Sequence, residues 1–217
     1  MKPLILPLIF LLLLPIALAH QPRLVMNVNT SKQNPIVIDN PEISKAYYGQ
    51  LKGNPDYYQI VSDKPFNLYL NILVPNIPVE RERVFSVEVT RNDEKILLLN
   101  GTTYTWEEYF EEFAGDSYLT GPEASFETDE GTYLIKVFNS ENTGKYSLAV
   151  GEIESFPADE MLKTLFLLPS LKSQFFNKPA YTAYFNMIGV FIFVPIIILI
   201  VVVVIAYKLF KKFRKNH

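Results

Sequence analysis

The sequence of 217 residues predicts an all-β fold, an antiparallel β-sandwich with one short inserted helix, followed by a single C-terminal transmembrane α-helix. Two observations lead to this prediction. Several short segments between residues 43 and 152 alternate apolar and polar side chains, which is the periodicity of half-buried strands. Residues 187–206, in contrast, form one uncharged apolar segment that is long enough to cross a bilayer.

Residues 1–19 have the layout of a secretory signal peptide. A short basic start precedes an almost wholly apolar run, and Ala17-Leu18-Ala19 is a small-x-small cleavage site. We expect cleavage after Ala19, which would leave His20 as the first residue of the mature chain. The alternative, an uncleaved membrane helix, is disfavoured because the apolar run is short and a cleavage site follows it.

Residues 20–155 are predicted to form the sandwich, outside the cytoplasm. Turn-forming groups separate its segments, among them Asn92-Asp93-Glu94 and Asn142-Thr143-Gly144. Many short strands joined by such turns are typical of two packed antiparallel sheets. The segments with strand character are residues 47–51, 57–61, 66–74, 85–90, 96–99, 133–137 and 146–150.

One helix is predicted to interrupt the strands. Residues 105–108, with the sequence Thr-Trp-Glu-Glu, match a capping box, and Gly115 fits a C-terminal stop. Aromatic side chains follow at the spacing i, i+3, i+4 and i+7, which gives an apolar helix face that covers an edge of the sandwich. The alternative is an aromatic platform for a glycan, formed by Trp106 and Tyr109. The aromatic residues are Trp106, Tyr109, Phe110 and Phe113.

Residues 156–186 form a juxtamembrane segment with amphipathic character. A helix is predicted to start at Ala158-Asp159-Glu160, and Pro169 is expected to break or kink it. The segment is too short and too charged to span a membrane. Three placements are open: the outer headgroup layer, the surface of the sandwich, or contact with another membrane protein. Its apolar side chains are Met161, Leu162, Leu165, Phe166, Leu168, Leu171, Phe175 and Phe176.

Residues 187–207 are predicted to be a single-pass transmembrane helix, and residues 208–217 a basic cytoplasmic tail. Because cations mark the cytoplasmic side, the chain is expected in the cell membrane with its N-terminal domain outside the cytoplasm, in type I topology. Each tail cation contributes about 1 kcal/mol of attraction near an anionic lipid surface. The cations that would lie at the membrane surface are Lys208, Lys211, Lys212, Arg214 and Lys215.

Charge separates the exported part from the tail. All 23 acidic residues lie between Asp39 and Glu160, whereas residues 20–186 hold 14 lysines and arginines, so their net charge is 14 − 23 = −9. An acidic exported domain argues against nucleic-acid binding. The chain has no cysteine, which excludes disulfides and a lipid-modified cysteine, so the sandwich must be held by packing alone or by packing plus bound ions.

The residues that most enzymes use are scarce in this chain. His20 and His217 are the two histidines, and they lie on opposite sides of the predicted membrane helix, so no triad or two-histidine metal site can form. A cysteine nucleophile is excluded by composition. The glutamates at 107, 108, 111 and 112 fall on one face of the predicted helix, as a solvated surface would. We therefore predict that the protein is not an enzyme and needs no cofactor.

Two kinds of modification or ligand remain as sequence-based expectations. Asn29 and Asn100 begin glycosylation sequons, which are used only in a host that glycosylates. A structural Ca²⁺ is the one metal considered, because hard oxygen ligands are abundant in the loops, although no loop has EF-hand spacing. The aspartates that could contribute are Asp56, Asp63, Asp93, Asp116 and Asp129.

The sequence resembles bacterial pre-peptidase C-terminal domains over residues 43–152. The segments that carry the resemblance are Gly131-Thr132-Tyr133-Leu134-Ile135-Lys136-Val137 and residues 142–150, NTGKYSLAV, which look like the closing strands of those domains. Residues 47–51 and 56–60 look like the opening strands. The resemblance implies a jelly-roll sandwich of the carbohydrate-module kind, non-catalytic and appended to other machinery. This chain departs from the pattern because it has no attached peptidase, carries the insertion around Trp106 and has its own membrane segment.

Two functions follow from this organisation. The first is an accessory or assembly subunit, or interaction module, of a membrane complex, with the bilayer and a membrane-protein partner contacted through residues 156–206. The alternative is a surface module that binds a glycan or an envelope polymer, since tyrosines offer faces for stacking. The tyrosines that are close in sequence are Tyr47, Tyr48, Tyr57, Tyr58 and Tyr69.

Overall fold

The computed structural model describes residues 20–80 and 83–215, so the predicted signal peptide with its cleavage after Ala19 lies outside the described residues. The structure confirms a mostly β fold followed by an apolar C-terminal helix. The chain divides into two compact units. The sandwich unit comprises residues 20–111 and 116–180 of the described chain, and the anchor unit comprises residues 112–115 and 181–215.

The described residues of the sandwich unit form two sheets. The first sheet has the strand order β1-β3-β11-β5-β9-β8, and the second has the order β2-β4-β10-β6-β7. The strands are β1 (Gln21–Leu24), β2 (Ile36–Val37), β3 (Lys45–Lys52), β4 (Asp56–Ser62), β5 (Phe66–Pro75), β6 (Ser86–Arg91), β7 (Glu94–Leu99), β8 (Glu107–Glu111), β9 (Asp116–Thr128), β10 (Gly131–Phe138) and β11 (Thr143–Val150).

Both sheets are mostly antiparallel, as predicted, and each also holds one parallel pair of strands. The short strands β1 and β2 run parallel to β3 and β4 at one edge of each sheet, while the other pairs are antiparallel. Each parallel strand is separated from its partner by a long stretch of chain, about twenty residues between Leu24 and Lys45, which is what a parallel crossover needs. These two strands carry too little alternation to be recognised in the sequence.

The core lies between the sheets and uses the side chains that the alternation predicted. In β5, the side chains of Phe66, Leu68, Leu70, Ile72 and Val74 are at most 5% exposed. They pack against fully buried side chains of β6 and β10 in the second sheet. Each large apolar side chain buried in this way stabilises the fold by roughly 1.5–3 kcal/mol relative to an exposed one.

The predicted helix from Thr105 to Gly115 is wrong. Residues Glu107–Glu111 form strand β8, which pairs antiparallel with β9 from Glu107 opposite Thr120 to Glu111 opposite Asp116. A helix of about nine residues is marginal in isolation, whereas strand pairing satisfies the free edge of β9 and suits the tyrosine and phenylalanine side chains. The tertiary context therefore outweighed the capping-box pattern.

Helices follow the sandwich. Helix α1 (Ala158–Ser170) begins where predicted, with two acidic residues in its first turn, and it leads into a π-helical turn (Leu171–Phe175). The change of helix type comes directly after Pro169, which supplies no backbone N–H to the helix. A 3₁₀ turn (Ala180–Tyr184) and helix α2 (Met187–Lys215) complete the described chain.

In the anchor unit, α2 is long and apolar enough to cross a membrane over Met187–Leu209. The helix itself continues past residue 207, the predicted end of the span, through basic residues to Lys215. Its first turn is fixed by Asn186, whose amide donates to the carbonyls of Ala114 and Ala183. Gly189 is required here because a Cβ atom would lie 1.7 Å from the Tyr184 carbonyl oxygen.

Candidate functional site

The second half of the juxtamembrane segment lies on the first sheet of the sandwich. Tyr47 belongs to the core, so its neighbour Tyr48 faces the opposite side of the sheet, where its ring lies 4.9 Å from that of Phe175. The Tyr118 ring on β9 is 5.3 Å from that of Phe176. Phe175 and Phe176 are fully buried, at 0% and 2% exposure. Of the three placements left open, the structure therefore shows packing on the sandwich for this part.

A buried charge cluster fastens the same segment to β9. The carboxylate of Asp116 accepts from Lys172 Nζ at 2.5 Å and from Lys178 Nζ at 2.8 Å. Asp116 and Lys172 are 1% and 2% exposed, so their pairing is shielded from water. Burial lowers the pKa of Lys172, and the neighbouring Asp116 carboxylate opposes that shift. Such a pair fixes the position of the segment on β9, because breaking the pair would leave a charge in apolar surroundings.

Lys145 on β11 fastens the segment a second time. Its ammonium group donates to the carbonyl oxygens of Gln174 and Phe175, at 2.6 and 3.1 Å, and to Asn177 Oδ1 at 2.8 Å. Burial lowers the pKa of Lys145, and Glu80 opposes the shift. The lysine thus supplies donors to carbonyls at the end of the π-helical turn, where a helix leaves them without partners.

Helix α1 is oriented by its contacts with β1 and by its own buried residues. Glu160 pairs with Arg23 at 2.9 Å and with Lys163 at 2.9 Å, while Leu168 is 4% exposed. Three large apolar side chains of the helix remain in solvent. They are Met161, Leu162 and Phe166, with exposures of 53%, 57% and 82%. The amphipathic helix therefore uses only part of its apolar surface for packing within the chain.

The two residues of the predicted aromatic platform occupy different surroundings. Trp106 donates its indole N–H to the Gly101 carbonyl oxygen at 2.9 Å, and its ring packs against the core and closely over Gly121. Tyr109 is 47% exposed and lies beside Tyr118, with 6.3 Å between ring centroids. Trp106 is thus a packing residue. A stacking surface at this edge stays a prediction that depends on Tyr109.

The sequence-clustered tyrosines serve mainly structural roles in the sandwich. Tyr47 and Tyr58 lie in the core, where the Tyr58 and Tyr146 hydroxyls are 2.8 Å apart and the Tyr146 hydroxyl donates to Asp56 Oδ2 at 2.7 Å. Burial raises the pKa of Tyr47 to about 12. Burial also raises the pKa values of Tyr58 and Tyr146 well above the ordinary value of tyrosine.

The aspartates considered for Ca²⁺ are mostly engaged with other groups. Asp116 binds the two lysines, Asp56 accepts from Tyr146 and Thr30, and Asp93 pairs with Lys32. Asp129 pairs with Arg91 at 2.6 Å. Within residues 20–80 and 83–215, no group of three or more acidic or histidine side chains is placed to hold a metal ion. A structural Ca²⁺ remains an expectation from sequence.

The remaining predicted positions are accessible where the structure describes them. Asn29 and Asn100 of the sequons are exposed, and the Asn100 amide oxygen accepts from Thr102. The side chain of Lys215 is not among the described ones, and His217 lies outside the described residues. The other tail cations are exposed along α2: Lys208, Lys211, Lys212 and Arg214.

Sequence reasoning did not identify Asp116, Lys145, Lys172 or Lys178 as a connected set. One signal was present, because Lys172 and Lys178 are the only charged residues between Lys163 and Lys208. Isolated cations in such an apolar stretch indicate acidic or carbonyl partners elsewhere in the fold. Their shared partner, Asp116, lies 56 and 62 residues away in the chain and could not be paired with them without the topology.

No protein-family model matches the sequence, and no curated protein matches it. Among solved structures, the chain is similar to the pre-peptidase C-terminal domain of a collagenase from Bacillus anthracis, the kind of domain that its closing strands resemble. The similarity covers 57% of this chain and 98% of that domain, with 13% sequence identity and a TM-score of 0.35. Similarity at this level does not extend to what either protein binds or cleaves.

Proposed function

We propose that the protein is a non-enzymatic, single-pass membrane protein whose sandwich lies outside the cytoplasm and serves as an accessory or assembly subunit of a membrane complex. The observation that supports this proposal most strongly is the fastening of the juxtamembrane segment to the sandwich. Asp116 and Lys145 hold residues 172–178 by buried, charge-assisted hydrogen bonds. A passive tether would need none of these contacts.

The length of chain between this fastening and the span supports the same proposal. Eight residues, 179–186, separate Lys178 from the first residue of α2. Even a fully extended chain of that length reaches only about 28 Å. A connection of this length supports the proposal that the sandwich contacts the extracytoplasmic parts of another membrane protein.

Charge supports the proposed orientation. The exposed cations of α2 follow the candidate span directly, as expected for a cytoplasmic end. The residues before the span carry the net negative charge, and acidic side chains have little influence on insertion. The cytoplasmic part would then be limited to the end of α2 and the residues after it.

The accessory-subunit proposal is tested by affinity purification of the full chain in mild detergent. A matched variant replaces residues 187–207 by polyleucine and keeps the basic tail, so that it remains anchored but loses the side-chain pattern of the span. We expect a stoichiometric membrane-protein partner with the native chain and its loss with the variant. Equal recovery with both chains would remove the role of the span, and no stoichiometric partner with either would contradict the proposal.

The alternative is binding of a glycan or envelope polymer at the β8 edge. Three aromatic side chains near this edge are about half exposed: Tyr104, Tyr109 and Phe110, at 43%, 47% and 58%. Exposed aromatic rings stack on sugars, which is what favours this alternative. The test probes a panel of glycans and cell-wall polymers with the full chain and with Tyr109→Ala. If this function holds, the native chain binds a member of the panel and the variant does not. No binding across the panel would count against it.

A further inference from the structure

The buried pair of Lys172 and Asp116 places an amine nitrogen against a carboxyl group in a site that excludes bulk water. Lys172 Nζ is 2.5 Å from Asp116 Oδ2, and the two side chains are 2% and 1% exposed. The same nitrogen lies 5.7 Å from the centroid of the Phe176 ring, which is itself buried. A condensation that releases water is favoured in such a site, because bulk water cannot reach the product to hydrolyse it.

The second oxygen of the same carboxyl group faces a second cation. Lys178 Nζ is 2.8 Å from Asp116 Oδ1. When a nucleophile adds to a carboxyl carbon, negative charge develops on one oxygen, and a cation that is already placed there lowers the barrier. The two lysines approach different oxygens of Asp116, so Lys178 polarises the carboxyl group without blocking the approach of Lys172.

A second carboxylate lies directly across the strand pair from Asp116. Glu111 on β8 is the Cα partner of Asp116 on β9. Directly opposite residues of an antiparallel pair project to the same side of the sheet, with Cβ atoms about 4.5–5.5 Å apart. Glu111 is only partly buried, and its charge acts on Lys172. This carboxylate is therefore placed to accept a proton beside the pair and to return it.

The surroundings of Lys172 favour its neutral, nucleophilic form. Burial lowers the pKa of this amine and the positive charge of Lys178 lowers it further, whereas the carboxylates of Asp116 and Glu111 oppose the shift. Transfer of one proton from Lys172 to Asp116 turns a buried ion pair into an amine and a carboxylic acid, which an apolar site accommodates better than two charges. Lys178 and Glu111 then remain as opposite charges, so the cluster stays neutral.

We propose that Lys172 and Asp116 join in an intramolecular isopeptide bond after the sandwich has folded. One proton passes from the Lys172 ammonium group to Asp116 Oδ2, and the neutral amine attacks Asp116 Cγ. Lys178 stabilises the negative charge that develops on Oδ1, while Glu111 takes a second proton from the nitrogen and delivers it to Oδ2. The Cγ–Oδ2 bond breaks and one water molecule leaves, so the reaction needs no co-reactant. A chain that has not reacted keeps the ion pair described above.

This bond cross-links the sandwich unit, in which disulfides cannot form because the chain has no cysteine. The two linked positions, 116 and 172, are 56 residues apart in sequence. A cross-link over such a distance stabilises a fold mainly by restricting the unfolded chain. The proposal depends neither on a protein partner nor on the direction in which the chain crosses a membrane.

The test is mass spectrometry of the full chain, purified in mild detergent and incubated at neutral pH until its mass no longer changes. We expect the native chain to be lighter than its sequence by one water molecule. Trypsin digestion of the denatured chain should give a branched peptide that joins the fragment containing Asp116 to the one containing Lys172, without cleavage after Lys172. Both signals should be absent from Lys172→Arg, which keeps the charge but cannot form the amide. Lys163→Arg, at an exposed lysine that pairs with Asp159 and Glu160, is the matched control and should keep both signals.

Glu111→Gln tests the proton transfer, because it keeps a side chain of the same size that cannot carry the proton. The branched peptide should then form about 100-fold more slowly or slower still, the usual effect of losing a proton-transfer group. A native chain with the full mass of its sequence and no branched peptide would overturn the proposal. Equal loss of water in Lys172→Arg would also overturn it, since the dehydrated site would then lie elsewhere. Equal rates in the native chain and Glu111→Gln would disprove the role of Glu111.

Discussion

At the scale of single residues, a few buried polar groups decide how the sandwich holds its neighbouring segment. Asp116 is almost fully buried and faces two ammonium groups, so its charge is needed for the fold. Surface pairs such as Lys32 with Asp93, 59% and 84% exposed, contribute much less because water screens them. The contributions of a buried and an exposed ion pair to the free energy of unfolding can therefore be compared within this chain.

Asp116→Asn is expected to destabilise the full chain by about 3–5 kcal/mol, because two lysines would face a neutral amide in a buried site. Asp93→Asn is the control, with an expected cost below about 1 kcal/mol. Urea unfolding in a non-ionic detergent measures both. Equal and small costs for the two variants would mean that the buried cluster does not hold the segment.

Tyr47 gives a prediction for the pH dependence of stability. Its pKa in the folded state is about 12, above the ordinary value of 10.0, because it is buried. Between pH 10 and 12 the folded state keeps a proton that the unfolded state loses, so stability falls as pH rises through this window. Tyr47→Phe should reduce that fall by about 1.4 kcal/mol per pH unit.

The measurement is urea unfolding of the native chain and Tyr47→Phe at half-unit steps from pH 8 to pH 12. Below pH 9 the difference between the two proteins should be constant, since the tyrosine is protonated in both states. A native chain and a variant with the same slope above pH 10 would show that Tyr47 titrates normally in the fold.

At the scale of elements, sequence periodicity predicted the strands that have one buried and one exposed face. It did not predict strands that are equally exposed on both faces. The core strand β5 alternates strictly, and its buried positions are those that the sequence indicated. Strand β8 is exposed along most of its length, so no apolar alternation marks it. The aromatic spacing in that region was assigned to a helix because the pairing with β9 is a long-range fact that local pattern does not contain.

The packing of Trp106 over β9 is tested with Gly121→Ala. A Cβ atom at this position would lie 2.5 Å from the indole ring, so the ring must move, at a cost of about 1–3 kcal/mol. Because Trp106 is the only tryptophan, its fluorescence should also shift to longer wavelength. Gly53→Ala is the control: at φ +93° it strains the backbone, but no atom lies within 4 Å of the added methyl group. It should destabilise the fold without changing the emission. An unchanged emission in Gly121→Ala would place the indole elsewhere.

The role of Lys145 as a fastener is tested by limited trypsin digestion. Lys145→Met removes three hydrogen bonds to residues 174–177, so the π-helical turn should open more often. Cleavage after Lys172, which is 2% exposed in the native chain, should then become several-fold faster. Lys64→Met, at an exposed position, is the matched control and should not change the rate. Equal rates in all three chains would mean that the turn is held without Lys145.

At the scale of the whole molecule, local sequence patterns predicted the elements of the fold but not the contacts between distant parts of the chain. The β class, the core strands and the apolar helix at residues 187–206 follow from local patterns, and the structure contains them. The fastening of residues 172–178 does not follow from any local pattern, because Asp116 and Lys145 come from two different strands of the first sheet. Only the strand order brings their side chains under the same segment.

The proposed topology places the sandwich outside the cytoplasm on a chain that crosses the membrane once. The most direct test labels two single-cysteine variants, Val61→Cys in the sandwich and Lys212→Cys beyond the candidate span, both at exposed positions. A membrane-impermeant maleimide is added to spheroplasts before and after permeabilisation. We predict labelling of position 61 in intact spheroplasts and of position 212 only after permeabilisation. The reverse pattern, or labelling of both positions in intact spheroplasts, would contradict this topology.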